Sequence, residues 1–531
     1  MTVSIRWLSC CNRPSTGRTT GGLGPRALPM LALAVTPWAV GPDRAFAADE
    51  PWALTHVLVP EAEEFGELDR GLFGSAIALH GEQALVGAPD AFRERGVAFV
   101  FHLETGEQVL RIASPANPPG GRFGFAVALN ERWYVIGAPA DSSVASASGA
   151  VHFYDRTTAR LHDSVTLVVA DGQESLGIEV LLEGEHALGS GPGHFNGIRD
   201  HGAVYRLDRT TEGRRPTILP DVLLREGDYF GSSIAISGNR LLVGASGRDT
   251  SMHTDAGAAW IIDVDTGATL RELIPDRSSR GAGFGTSVAC VGDRAIVGAG
   301  RDTSSNTAGV VYIFNMTTGE QRLRLLPDNR DSSIDFGRVV AAEGGTLLVS
   351  APFDNSEVLD SGSVARFDLL TGEQFQKFRQ PEPKSNDRFG WAVAIQGHTA
   401  VIGMPWGDLG GPDVGVAYVY RAPDTTLSLV PAPLRAGEEA IFTLSRLRPA
   451  EPTWLLYSVD GLDPGGFHIP GLNVHVDLIR PQHAWGPKLS GTDGTLVVEG
   501  RMPALTSSRE LWFQGVQHDN VTSTIATRLE P

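Results

Sequence analysis

Apolar and polar residues alternate along this chain in runs of four to six, closed at short intervals by Gly, Asn, Asp or Pro. Strict alternation over so few residues puts every second side chain on one face, which is the pattern of a half-buried strand and not of a helix. The stretch FGSAIALHGEQALVGAP (residues 73–89) predicts two strands joined at Gly81-Glu82-Gln83. After a polar loop, GVAFVFHLETGEQVLRI (residues 96–112) predicts two more, joined by a hairpin at Thr105-Gly106. The same order recurs in FGTSVACVGDRAIVGAG and GVVYIFNMTTGEQRLRL, residues 284–300 and 309–325. With 63 Gly, 33 Pro and 42% hydrophobic residues in 531, the chain has the composition of a folded, turn-rich, all-β protein with room for more than one core.

The unit repeats in register. Its leading pair stands at Phe73-Gly74, Phe123-Gly124, Leu176-Gly177, Phe230-Gly231, Phe284-Gly285, Phe336-Gly337 and Phe389-Gly390, each copy 50 to 54 residues after the last. A second motif closes the second strand at Gly87-Ala88-Pro89, Gly137-Ala138-Pro139, Ser190-Gly191-Pro192, Gly244-Ala245-Ser246, Gly298-Ala299-Gly300, Ser350-Ala351-Pro352 and Gly403-Met404-Pro405. A third-strand Gly follows at positions 96, 149, 202, 257, 309, 362 and 415. Four strands per unit in seven units predict a seven-bladed β-propeller. Over residues 65–421 the chain resembles the FG-GAP repeat family, whose repeat also builds the propeller head of integrin alpha chains.

Fourth strands tend to end in Pro and an acid: Pro220-Asp221, Pro275-Asp276, Pro327-Asp328 and Pro381-Glu382. The same ending at Pro60-Glu61 predicts that residues 52–59 form the outer strand of the blade containing Phe389, zipping the two ends of the ring together. Residues 427–430 are the competing choice for that strand. Chain direction puts the short turns and Thr-Gly hairpins on one face of the ring and the longer, more varied loops after the GAP positions on the other.

Candidate chemistry concentrates on this long-loop face. An Asp follows the GAP motif in six copies, at Asp90, Asp141, Asp249, Asp302, Asp354 and Asp408. Each could cap its own turn by accepting backbone N–H groups. Carboxylates from several blades could instead converge at the central channel on a cation or polar ligand, flanked by Trp406, Phe195, Phe92 and His194. The ligand-binding candidates are therefore Asp141, Asp249, Asp302, Asp354, Asp408 and Trp406. The family resemblance implies calcium loops between the FG and GAP strands, but here a tight turn without an acidic cluster stands in every copy. Asp263-Val264-Asp265-Thr266-Gly267 occupies a hairpin position. No cofactor is expected, and calcium stays open only through the long-loop carboxylates. Metalloprotease, serine-hydrolase, phosphate-loop and Cys-x-x-Cys motifs do not occur.

Four arginines, Arg6, Arg13, Arg18 and Arg26, precede the apolar stretch at 27–40, and Ala45-Phe46-Ala47 supplies a small-x-small cleavage pattern. Residues 1–47 therefore read as a signal peptide. Export leaves Cys290 as the lone cysteine of the mature chain, in a strand context that suits the core. The formal net charge of −18 disfavours a nucleic-acid partner. Residues 48–421 are the expected propeller and 422–424 a linker. Residues 425–531 lack FG and GAP motifs, and their short alternating segments suit an Ig-like β-sandwich. The expected function is that of a noncatalytic recognition or adhesion protein, a monomer without a membrane span in the mature chain, secreted, periplasmic or at a cell surface. It would bind an extracellular protein or glycan through the long-loop face. The alternative is an extracellular carbohydrate-active or other hydrolase using carboxylates from several blades.

Overall fold

The computed structural model describes residues 51–61 and 70–422, apart from 116–119, 145–147, 168–173, 184–185, 194–200, 208–216, 219–223, 306–308, 329–333 and 410. Beyond residue 425 it describes the backbone of the strands and the burial of Leu455. The signal peptide expected at 1–47, the linker residues 423–424, and His194 and Phe195 lie outside the described residues.

Seven four-stranded antiparallel sheets make up the propeller, and among the described residues helix is confined to residues 91–94, a turn whose Phe92 and Arg93 have left-handed dihedrals. The first blade comprises Ala76–His80, Gln83–Ala88, Val97–His102 and Gln108–Ala113. The next five repeat that order, and the first strands of successive blades touch one another around the centre. Second and third strands are buried almost throughout, whereas fourth strands alternate between exposed and buried, as the outer rim of a blade must. The seventh blade takes Ala392–Gln396, Thr399–Met404 and Val416–Arg421 from one end of the propeller and Ala53–Leu58 from the other. Residues 52–59 thus close the ring as their Pro-acid ending predicts. The competing segment pairs elsewhere: Thr426–Val430 runs antiparallel to Glu439–Ser445.

Closure is reinforced beyond the ladder. The Trp52 N–H donates to Gln376 Oε1 at 2.8 Å, and Gln376 Nε2 donates back to the Trp52 carbonyl at 2.9 Å. The Trp52 ring lies 6.4 Å from that of Phe378 in the neighbouring blade, and Arg421 pairs with Glu104 of the first blade. A propeller leaves only the short outer strands of its blades as edges, so Ala53–Leu58 completes the seventh blade and covers the Val416–Arg421 ladder.

The repeated motifs have direct physical reasons. Each FG aromatic packs on aromatic side chains of its own third strand: Phe73 on Phe99 at 5.7 Å and Phe101 at 5.6 Å, Phe284 on Tyr312 at 5.6 Å, Phe389 on Tyr418 at 5.6 Å. Each such pair contributes about 0.5–1.5 kcal/mol beyond area burial. The backbone of the FG residue also bridges to the third-strand Gly of the preceding blade, as Phe123 does with Gly96 and Phe73 with Gly415 across the closure. Side chains are excluded at the GAP glycine. A Cβ on Gly87 would lie 1.9 Å from the Gly124 carbonyl oxygen of the next blade, and one on Gly403 would lie 2.0 Å from that of Gly74. In two blades Ser190 and Ser350 occupy this place, and their hydroxyls accept the N–H groups of Glu179 and Val339 at 3.1 and 2.9 Å.

The Thr-Gly hairpins are side-chain-capped turns. Asp263 Oδ1 accepts from the Thr266 N–H and hydroxyl at 2.8 and 2.7 Å, and Asp155 does the same for Thr158 at 2.9 and 3.0 Å. Those bonds hold both carboxyls below the usual range. Cys290 is partly buried, against the core shared by blades four and five.

The strands beyond residue 425 fall into a three-stranded sheet, a six-stranded sheet and the pair Leu462–Ile469 with Val474–Leu478. The Asp463-Pro464-Gly465-Gly466 sequence sits within Leu462–Ile469, where the pairing register breaks between Leu462 and Phe467. Pro and Gly at a register break are consistent with a bulged strand, a conformation that sequence alone does not separate from a turn.

Two outcomes test this account of the ring. Gly87→Ser lowers the unfolding free energy by roughly 2–4 kcal/mol because backbone must move. Gly81→Ser, at φ +60° but with nothing within 4 Å of a Cβ, costs about 1 kcal/mol. Urea titration followed by tryptophan fluorescence compares them, and equal losses would remove the inter-blade contact as the cause. A chain starting at residue 61, without the closing strand, melts lower and self-associates in size-exclusion chromatography.

Candidate functional site

The structure divides the predicted carboxylates into two sets. Asp141, Asp302 and Asp354 are buried, with relative exposures of 2%, 0% and 1%. Each sits where the second strand gives way to the loop, and its own carbonyl accepts the third-strand Gly N–H: Gly149 to Asp141, Gly309 to Asp302 and Gly362 to Asp354, at 3.0–3.1 Å. The side chains are satisfied within the blade. Asp302 accepts from the Ser304 N–H at 2.8 Å, the Ser279 hydroxyl at 3.2 Å and the Tyr312 hydroxyl at 2.7 Å. Asp354 accepts from the Ser356 N–H at 3.0 Å and the Ser363 hydroxyl at 2.6 Å, and pairs with Lys377 at 2.8 Å. Asp141 accepts from the Ser143 N–H at 2.7 Å. Its other oxygen stands 4.0 Å from Nε2 of His152, whose pKa burial lowers to about 4.

Other blades place an acid under the third strand from a different sequence position, two residues before the FG pair. Glu174 accepts from the Tyr205 hydroxyl at 2.8 Å, Asp228 pairs with Arg248 at 2.6 Å, and Asp387 accepts from Gln380 Nε2 at 2.9 Å. All three are buried, and burial raises the Asp387 carboxyl. Sequence reading missed these positions, although an acid two residues before the motif in three copies is a legible signal. Among the described residues no three His, Cys, Asp or Glu side chains gather in metal-binding fashion.

The exposed candidates fall in separate places. Asp249 lines a groove of about 640 Å³ with Met252, His253, Glu272 and Asp276, and accepts the Asp255 N–H at 3.0 Å. Asp408 is half exposed, accepts the Asp413 N–H at 3.3 Å and stands 4.0 Å from Lys384. Phe92 packs against the first blade's core with Arg111 stacked over its ring at 4.4 Å. Asp90 pairs with Arg122 at 2.8 Å across to the second blade. The predicted set therefore does not meet around one point.

Trp406 does reach the centre. It lines a cavity of about 460 Å³ at the long-loop mouth of the channel, and the residue after each FG pair lines the same space: Ser75, Phe125, Ile178, Ser232, Thr286, Arg338 and Trp391. The geometry is forced, since a strand that starts against the preceding blade must aim its next side chain inward. Seven in-register positions of such different chemistry were visible in the sequence and went unread. Trp391 and Trp406 meet edge to face with ring centres 4.5 Å apart. Arg338 stacks over Trp391 at 4.1 Å and pairs with Asp335 at 3.1 Å, and Arg388 stacks over Trp406 at 4.4 Å and Phe353 at 5.1 Å.

Glu179 is the one carboxylate among the described residues lining this cavity. It is half-buried, with no side-chain partner among the described residues, and the surrounding protein pushes its pKa up to about 7. At neutral pH it therefore exists in both protonation states, able to accept or to donate a hydrogen bond.

An all-β ring of seven repeats with a lined central mouth defines a β-propeller whose variable chemistry sits at the centre of one face. The sequence matches the FG-GAP repeat family over residues 224–262, 270–314 and 373–420, and the chain is an FG-GAP repeat propeller protein. No curated protein matches it. No helix among the described residues is long and apolar enough to cross a membrane.

The raised Glu179 pKa makes a pH prediction. The folded state holds this proton between pH 4.5 and about 7, where the unfolded chain has released it, so its contribution to stability falls as pH rises through that window. Glu179→Gln removes the penalty. Relative to the parent, the variant gains about 1–3 kcal/mol at pH 8 and nothing at pH 4, solvent screening at the open mouth favouring the lower figure. Denaturant titrations at the two pH values measure it, and a gain independent of pH would contradict the assignment.

Proposed function

We propose that this is an exported, noncatalytic recognition protein that binds an extracellular protein or glycan through the long-loop face of its propeller. The observation that carries the reading is the channel mouth: a cavity of about 460 Å³ walled by side chains from every blade, with Trp391 and Trp406 at its rim. Concave sites with aromatic walls and a few convergent polar groups suit ligands of modest size. FG-GAP repeat proteins are typically extracellular or surface-associated, which agrees with residues 1–47 acting as a cleaved signal peptide. Residues 425–531, rich in strands, are read as a β-sandwich that follows the propeller.

Arrays of extracellular glycans and proteins, probed with the purified protein, test the face. Trp406→Ala weakens binding at least tenfold, whereas Glu131→Ala, in a short turn on the opposite face, leaves it unchanged. Binding that depends on Glu131 and ignores Trp406 would overturn the assignment.

A further inference from the structure

The channel mouth has an electrostatic feature that its fold does not require. In a chain of formal net charge −18, two arginines beside FG pairs line the cavity, Arg122 and Arg338, and a third, Arg388, adjoins it by stacking on Trp406. Arg122 and Arg338 are paired, with Asp90 and Asp335 at 2.8 and 3.1 Å. Arg388 meets aromatic rings instead, with Trp391 at 6.0 Å in addition to Trp406 and Phe353. No acceptor among the described residues engages its guanidinium, and its Nε is buried without a hydrogen bond. A guanidinium held rigid by stacked rings and left without an anion is preorganised for a carboxylate.

We propose, resting on the recognition reading above, that the mouth is a subsite for a carboxylate-bearing sugar of the uronic-acid class. A pyranose ring packs against Trp391 and Trp406 while its carboxylate meets Arg388 and Arg338. The partly protonated Glu179, on the same cavity, donates to or accepts from a ring hydroxyl. The volume of the open mouth argues for one or two sugar residues over a broad protein surface, since about 460 Å³ is the size of a small-ligand site. Each Trp ring carries one closely stacked guanidinium, Arg338 on Trp391 and Arg388 on Trp406, so ring and carboxylate are recognised side by side.

The test is calorimetric titration of the purified protein with a galacturonic acid trimer and with its fully methyl-esterified form, which keeps the rings and removes the charge. The expected result is binding of the acid at least tenfold tighter than of the ester, weakening with added salt. Arg388→Gln and Trp406→Ala each cost at least tenfold, with melting temperatures confirming that both variants fold. Equal affinity for acid and ester, or insensitivity to Arg388→Gln in a folded variant, overturns the carboxylate subsite and leaves glycan recognition standing. Binding of neither trimer overturns the sugar assignment, while loss of an array partner on Trp406→Ala would still support the face. Arg388-dependent binding of a poly-glutamate peptide in place of the sugar would likewise overturn it in favour of an acidic protein partner.

Discussion

Everything in this propeller depends on how closely one blade's backbone lies on the next. The carbonyl of each FG glycine occupies the space where the preceding blade's GAP residue would carry a Cβ, within 1.9–2.2 Å at Gly87, Gly137, Gly244, Gly298 and Gly403. The N–H of the same glycine donates within its own blade, as Gly124 does to the Gly137 carbonyl at 3.0 Å. Each FG-GAP pair thus ties a blade to itself and to its neighbour, and the chain of contacts returns from Gly403 to Gly74. Where Ser190 and Ser350 replace the glycine, the hydroxyl accepts an inner-strand N–H, so that donor stays satisfied.

A second constraint follows from the first. Once second and third strands are buried, the polar groups beneath them must find partners. Six blades do this with a buried acid, reached from either of two sequence positions. In three it comes from the loop after GAP, as with Asp302 under Tyr312; in three it comes from the approach to FG, as with Glu174 under Tyr205. Carboxylates so engaged serve the blade. Partial burial, without a side-chain partner among the described residues, leaves Glu179 in the channel with its pKa near 7.

Freedom to vary is left at the residue after each FG pair and in the loops. The strand must start where it does, but its inward side chain meets only local partners, as Ser75 does the Leu72 carbonyl and Arg338 does Asp335, and its counterparts across the mouth. Serine and threonine in three blades leave space, and Trp391, Arg338 and Phe125 on the others fill part of it with aromatic and cationic groups. The mouth is therefore lopsided, with its tryptophans and two of its arginines drawn from blades six and seven.

The sequence by itself determined the all-β class, the seven repeats, the strand order within a blade and the closing role of residues 52–59. These follow from period-two alternation and from glycines that only a close backbone contact demands, both of which are local and repeat in register. It also placed Trp406 on the long-loop face. What it left open was the direction of side chains whose partners lie far along the chain. Asp141 and Asp249 follow the same motif, yet one is buried under its own third strand and the other lines an open groove, because a shift of one residue in the loop changes which carbonyl caps the third-strand glycine. Only the closed ring decided that Ser75, Glu179, Arg338 and Trp391, up to 316 positions apart, share one cavity, since convergence at an axis is a property of all seven blades together and is written in none of them alone.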